Sequence, residues 1–339
     1  MTRAPAFDAV FRWDLDKTYL ATDFDSTLDL LRTAVQRPKD KVNVPGADAL
    51  LRELLRADPN DTRAVTFISG SPEQMRRVLE EKLRLDGIKP EHFALKPNLK
   101  NLLHGRFRAL RGQVGYKLLT LLKLHLQASG AREYLFGDDA EEDALIYSLY
   151  ADLLAGVVGR ALVAQVLEAA KVYPDTATEI LELCRRLSDT GFQGPVRRIF
   201  IHLERRSPPA RFAPYGARLV PIHNWFQAAL VLFDDGQTLG GAPLLRIALS
   251  MHRHHGFTPS MLANSFQDLL RSRRLDPQAA SRLALALEEA EPPHDLPAGL
   301  DPKRFVQELA ERLEAIQGSE GPAAAPADAV PDYLALAHR

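Results

Sequence analysis

Ala9–Thr18 reads AVFRWDLDKT. The first half is a run of apolar and β-prone residues. The second half is a polar cluster carrying two carboxylates, Asp14 and Asp16, at i, i+2 spacing. Two acids so placed at a strand end can both address one pocket as the backbone begins to turn. Capping a helix N-terminus is the competing use of such residues, and the flanking sequence has to decide between them.

Working outward, RAVTFISG (Arg63 to Gly70) and REYLFGDD (Arg132 to Asp139) repeat the pattern of an apolar strand ending in polar residues, and HFALKP (His92 to Pro97) adds a further strand. Between them, ADALLRELLRA, SPEQMRRVLEEKLRL and YKLLTLLKLHLQ carry apolar residues at three- and four-residue spacing, the second opening on Ser71-Pro72 as a helix start should. Strands alternating with helices predict an α/β fold: a Rossmann-like parallel sheet with helices on both faces, in a first domain over residues 1–155. Ligands of such sheets bind beyond the carboxyl ends of the strands. From about Gly156 the periodicity is mainly helical, predicting a second, helical domain over 156–317. Within it VRRIFIHLE (Val196 to Glu204) reads as one strand, RRSPPARFAPYGARLVP as a Pro- and Arg-rich loop, and HNWFQAALVLF as a buried helix. Residues 318–339, rich in Pro and Ala, read as a flexible tail.

The composition narrows the classes of function. Lys and Arg together number 43 against 44 for Asp and Glu, a net charge of -1, which argues against a chain whose main task is to coat nucleic acid or an anionic membrane. No stretch approaches the ~18 apolar residues of a membrane span, and the start lacks a signal-peptide pattern, so the cytoplasm is the expected location. Peripheral contact with a membrane stays compatible with the sequence. The lone Cys184 lies at an apolar position in TEILELCRRL and is expected to be a buried helix residue. His252, His254 and His255 in MHRHHGF have no acidic or cysteine partner at close spacing, so they read as helix-end residues rather than a zinc site.

Two further strand ends, and a helix that Lys117 is expected to open, supply complementary chemistry. Ser69 offers a hydroxyl, Lys117 a cation, and Asp138, followed by Asp139 and Asp143, more carboxylates. Carboxylates crowded at one point repel, and keeping them ionised calls for a cation. With oxygen ligands that cation is a hard divalent ion, Mg²⁺. DLDKT, Ser69, Lys117 and GDDAEED resemble, in order, the four motifs of the haloacid dehalogenase superfamily. More narrowly, residues ~8–155 resemble the actin-patch phosphatidate phosphatase catalytic domain. The landmarks are DLDKT, Val44-Pro45-Gly46-Ala47, Ser69-Gly70-Ser71-Pro72, Leu95-Lys96 and Gly137-Asp138 with Asp143.

That resemblance implies an enzyme that hydrolyses phosphomonoesters through an aspartyl phosphate. By it, Asp14 is the nucleophile and a metal ligand, while Asp16 lends its backbone carbonyl to the metal and its side chain as acid and base. Asp138 completes the metal shell, with Asp143 or Asp139 as supporting carboxylate. Ser69 and Lys117 hold phosphoryl oxygens, and Thr18 orients the first loop. The implied partner is a phosphate ester, of phosphatidate or a related lipid or of a soluble small molecule, with specificity placed in the Thr22 to Asn43 insert or the second domain. A phospho-accepting receiver and a non-catalytic scaffold are the competing classes.

Overall fold

The structure, a computed structural model, describes residues 7–21, 37–56, 62–96, 106–127, 130–190, 196–236, 239–275, 278–291, 302–316 and 330–338. Among the described residues six strands are present: β1 (Ala9–Trp13), β2 (Arg63–Pro72), β3 (His92–Lys96), β4 (Arg132–Asp138), β5 (Val196–His202) and β6 (Leu219–Ile222). The helices are α1 (Ala47–Leu55), α2 (Arg76–Leu85), α3 (Arg106–Gln127), α4 (Asp143–Leu154), α5 (Arg160–Ala169) and α6 (Pro174–Thr190). They continue with α7 (Trp225–Asp234), α8 (Gly241–His255), α9 (Pro259–Arg271), α10 (Ala279–Glu288), α11 (Pro302–Ile316) and α12 (Tyr333–Ala337).

The strands form one sheet in the order β3-β2-β1-β4-β5-β6, parallel throughout. This is the doubly wound order, in which the chain proceeds outward in both directions from the centre and leaves a crevice at the carboxyl ends of the two central strands. Those strands are β1 and β4. The register pairs Trp13 with Phe67 on one side and with Phe136 on the other, so β1 ends level with its neighbours.

Every residue of β1 is buried, as a central parallel strand covered on both faces must be. On one face Phe11 stacks on Tyr134 (5.4 Å between centroids), Trp13 on Phe136 (4.2 Å), and Phe136 on Phe200 (5.2 Å). On the other, Leu135, Ile199 and Ile201 enter a cluster with Leu118, Leu122, Tyr147, Val163, Ile180 and Cys184. Arg12 interrupts the apolar run on this second face. Its guanidinium makes a two-pronged bond to Glu133 of β4, the longer prong 3.0 Å. His125 Nδ1 (2.7 Å) and the Tyr150 hydroxyl (2.8 Å) complete the surroundings of Glu133.

The chain divides into two compact units, and neither follows the chain in order. One comprises Met1–Val42, Ala57–Pro221 and Asp328–Arg339, the other Asn43–Arg56 and Ile222–Ala327. Two corrections to the sequence reading result. Val196–His202, expected within a helical second domain, is the sheet's fifth strand, because its alternating Ile199 and Ile201 have a sheet face to fill. Residues 330–338, expected in a flexible tail, are packed: Tyr333 is 1% exposed and donates its hydroxyl to Asp152, itself paired with Arg218 at 2.7 Å. Residues 318–329 of that tail lie outside the described residues.

In the second unit the described helices α1 and α7 to α11 pack on one another. ADALLRELLRA, which alternates with strands in sequence, lies here rather than in the layers of the sheet. Gly46, at φ +84°, starts α1; a Cβ there would stand 2.9 Å from Met251 Sδ, so both the turn and the close approach exclude a side chain. Glu53 of α1 is buried and pairs with Arg246 of α8 at 2.6 Å.

The Arg12–Glu133 pair gives a stability test. Burial opposes ionisation of Glu133, but Arg12 and His125 overcome it and bring its pKa from 4.5 down to about 2. A depressed carboxylate stabilises the fold fully above its unfolded value and loses that contribution as pH falls toward the folded one. Glu133→Gln is therefore expected to cost about 3–5 kcal/mol at neutral pH by leaving Arg12 buried and unpaired. It should also flatten the stability curve between pH 4.5 and about 2. Urea melts across that range check both parts, and an unchanged midpoint would remove the pair as an anchor of β1 to β4.

Candidate active site

Asp14 is the first residue past β1, and its N–H donates to the Phe136 carbonyl at 2.8 Å, tying it to β4. The chain then turns sharply. Lys17 takes a left-handed φ of +62°, unusual for a residue with a Cβ, and its N–H reaches the Leu20 carbonyl at 2.8 Å. His202 Nδ1 lies 3.1 Å from the Lys17 carbonyl. Thr18 donates its hydroxyl to Asp138 Oδ2 at 3.0 Å, joining the turn to the end of β4.

Asp138 ends β4, fully buried. Its Oδ1 accepts from the N–H groups of Ala140 (2.7 Å) and Glu141 (3.2 Å), which wraps the chain back so that Asp143, at the start of α4, returns over the strand. Gly137 permits this return, for a Cβ there would stand 2.7 Å from the Cβ of Asp143. Oxygens of Asp14, Asp138 and Asp143 consequently lie within 4.8 Å of one another.

Lys117 of α3 is fully buried with its ammonium among these acids: 2.9 Å from Asp14 Oδ1, 2.7 Å from Glu141 Oε2, and bonded to Asp143 Oδ1. Gln113, one turn earlier on α3, also donates to Glu141. Although Asp14 Oδ1 is within ion-pair distance of Lys117, neither Asp14 oxygen has a well-directed hydrogen bond. For charge the ion pair matters more, since a buried carboxylate beside an ammonium at that distance feels it whatever the angle.

Three carboxylates touch one ammonium and a fourth, that of Asp138, lies beside them, and the protonation equilibria reflect it. Burial pushes Asp14 and Asp138 well above the ordinary carboxylate range. Asp143 rises to about 6, again through burial, opposed by Lys117 and reinforced by Glu141. Glu141 goes the other way: burial would raise it, but Lys117 and Gln113 hold it below its ordinary value. Burial together with the carboxylates' mutual repulsion asks for further positive charge. An all-oxygen set around Asp14, whose Oδ2 is unpartnered, fits a hard cation.

Asp16 stands apart from this triad. Its Oδ2 accepts hydroxyls from Ser69 (3.0 Å) and Ser71 (2.6 Å) of β2, with the Ser71 N–H on Ser69 Oγ at 2.9 Å. Burial outweighs those bonds, and its pKa is raised. Ser69, expected to hold a phosphoryl oxygen, gives its hydroxyl to Asp16 here.

Asp14, Asp138, Asp143 and Lys117 thus meet at one point, with Thr18 touching Asp138 and the Asp16 and Ser69 pair alongside. Between the two candidate supporting carboxylates, Asp143 joins the cluster, whereas Asp139 accepts from the N–H groups of Arg205 (2.7 Å) and Ser207 (3.0 Å). Glu141 and Gln113 were missed by the sequence reading. The one sequence signal for Gln113 is its i, i+4 spacing to Lys117, which puts the two on one helix face. The Thr22 to Asn43 insert, to which specificity was assigned, falls outside the described residues over 22–36.

Residues 13–163 match the family model described as "Phosphatidate phosphatase APP1, catalytic domain", less than half of the 339-residue chain. No curated protein and no solved structure matches. The matched stretch contains Asp14, Asp16, Thr18, Ser69, Lys117, Asp138 and Asp143. The chain is thereby an enzyme of the phosphoric monoester hydrolase class, similar over these residues to the phosphatidate phosphatase catalytic domain.

Proposed function

We propose that the chain is a Mg²⁺-dependent phosphatase of the haloacid dehalogenase type, working through an aspartyl phosphate on a lipid phosphate of the phosphatidate class. The observation that carries the reading is Asp14: a buried carboxylate at the central crevice of the sheet, 2.9 Å from Lys117, with an oxygen unpartnered. Asp14, Asp138 and Asp143 are the side chains that would hold the metal, with the Asp16 backbone carbonyl joining them by family resemblance. When bound, the ion supplies positive charge against the equatorial oxygens of the transferring phosphoryl group.

The remaining work falls to the chain. Lys117 draws Asp14 toward its ionised form, so that the free oxygen attacks phosphorus and the ester oxygen departs. Asp16, its pKa raised, keeps a proton to give to that oxygen, and its position at the end of the Ser69 and Ser71 hydroxyls fixes where the proton is held. As a carboxylate it then takes a proton from water, which attacks phosphorus, and Asp14 and inorganic phosphate are released. Thr18 keeps the turn in register with Asp138. No helix among the described residues is long and apolar enough to cross a membrane, so a lipid substrate would be met from the aqueous side.

Asp14→Asn should lower phosphate release from p-nitrophenyl phosphate by at least about 10³-fold, as loss of a covalent nucleophile does. Asp16→Asn should cost about 10²–10⁴-fold. In the parent, kcat falls as pH rises through the elevated pKa of Asp16, because the proton donor is lost; the variant should lack that limb. An unaltered rate and profile would take Asp16 out of the reaction.

In metal-stripped protein, Mg²⁺ at a hundred times its Kd should stabilise by about 2.7 kcal/mol, read as a rise of several degrees in Tm. Asp138→Asn should abolish that rise. If chelator changes neither Tm nor turnover, the metal assignment is wrong. Phosphate release from sugar phosphates with none from dioctanoyl phosphatidate would remove the lipid part alone.

A further inference from the structure

The three carboxylates on Lys117 are not equally placed. Asp14 and Asp143 are 1% and 0% exposed, whereas the Glu141 side chain is 24% exposed. Glu141 is therefore the acid on the solvent side of the ammonium, the side from which a phosphate ester has to arrive. Its Oε2 takes two donors at once, the Lys117 ammonium at 2.7 Å and the Gln113 amide. Asp14 Oδ1 shares that ammonium at 2.9 Å, so an oxygen standing where Oε2 stands is one ammonium away from the nucleophile.

A third nitrogen flanks the place. Lys96, at the end of β3, rests its ammonium against the backbone of α3, 3.5 Å from where a Cβ on Gly112 would be, and 6.0 Å from the centre of the Tyr116 ring. Glu141 is a charge that attracts it and Lys117 one that repels it. Gln113 lies against the end of β2, for a Cβ on Gly70 would stand 2.9 Å from its Nε2. The amide is thus lodged between the Ser69-Gly70-Ser71 segment and Glu141.

Donors converging on an anionic oxygen are what a transferring phosphoryl group needs at its equatorial oxygens. Ser69, expected to supply one of them, gives its hydroxyl to Asp16, and Gln113 is the neutral donor that stands next to Lys117 instead. The main chain of Glu141 is held, its N–H donating to Asp138 Oδ1 at 3.2 Å, but its side chain is bordered by solvent and by a cavity of about 40 Å³. The carboxylate has room to move while the backbone stays. A phosphomonoester carries about −1.5 to −2 charge at neutral pH, more than the single charge of Glu141, so Lys117 and Lys96 attract it more strongly than the group it replaces.

We infer that the Glu141 carboxylate holds the place of a phosphoryl oxygen in the substrate-free enzyme, and that Gln113 is the second phosphoryl-oxygen donor beside Lys117. On binding, the phosphoryl group takes over both donors, Glu141 swings aside, and Lys96 flanks the incoming charge. The inference rests on the phosphatase reading above and adds to it two residues, Gln113 as a donor and Glu141 as an internal competitor.

Inorganic phosphate is the probe. Its Kd is measured by calorimetric titration with Mg²⁺ present, alongside turnover of p-nitrophenyl phosphate, in full-length parent, Gln113→Leu and Glu141→Gln. The two variants should move in opposite directions. Gln113→Leu keeps the volume and removes the donor, and should raise the Kd about tenfold, as loss of a charged hydrogen bond does. Glu141→Gln keeps the shape and removes the competing charge, and should lower the Kd about tenfold, since no charged hydrogen bond has to be broken first. A purely structural role, in which Glu141 and Gln113 only hold Lys117 in place, weakens phosphate binding in both; that result, or an unchanged Kd in either, overturns the inference. Gln113→Ala and Glu141→Ala repeat the two arms if a first variant fails to fold. A parent that turns over p-nitrophenyl phosphate while the variants shift together overturns this inference alone, whereas a parent without turnover overturns the phosphatase reading and the inference with it.

Discussion

The site depends on the ammonium of Lys117, buried among Asp14, Asp143 and Glu141. A lone cation at that depth would be costly, and so would the carboxylates without it. Together they oblige three parts of the chain, the end of β1, the end of β4 and the middle of α3, to meet at one place. Burial and the mutual repulsion of these acids still hold Asp14, Asp138 and Asp143 above their ordinary values, and that surplus of negative charge is the physical root of the metal proposal.

The fold is arranged to make that meeting rigid. Outward winding in both directions leaves the ends of β1 and β4 side by side. Beneath the site the two strands are clamped on both faces, by the stacked pair Trp13 and Phe136 on one and by Arg12 on Glu133 on the other. Asp14 and Asp138 are thus placed by packing that lies a residue or two away. Gly137 serves the same end by subtraction, letting Asp143 fold back against β4 where any side chain would push it off.

Asp16 occupies a different environment from Asp14 although only one residue separates them. Leu15 between them is buried, the chain turns at Lys17, and Asp16 ends on the hydroxyls of β2 while Asp14 faces Lys117. The acids of one strand end are thereby divided between two neighbours of opposite character, hydroxyls for one and an ammonium for the other. Such a division lets adjacent carboxylates take unlike roles.

The strands of the first half, the polar residues at their ends and the chemistry those residues carry were legible in the sequence, because hydrophobic period and residue type are local properties. Lys117 was legible as a cation of suitable spacing, but not as a buried one. What the sequence left undecided was partnership. Glu141 was not singled out, ADALLRELLRA looked like a layer of the sheet, and PDYLALAHR looked like a loose end. Each was decided by contacts between residues distant along the chain: Glu141 with Lys117, Glu53 with Arg246, Tyr333 with Asp152. Periodicity states which face of an element seeks burial, whereas which other element supplies that burial is a property of the packed whole.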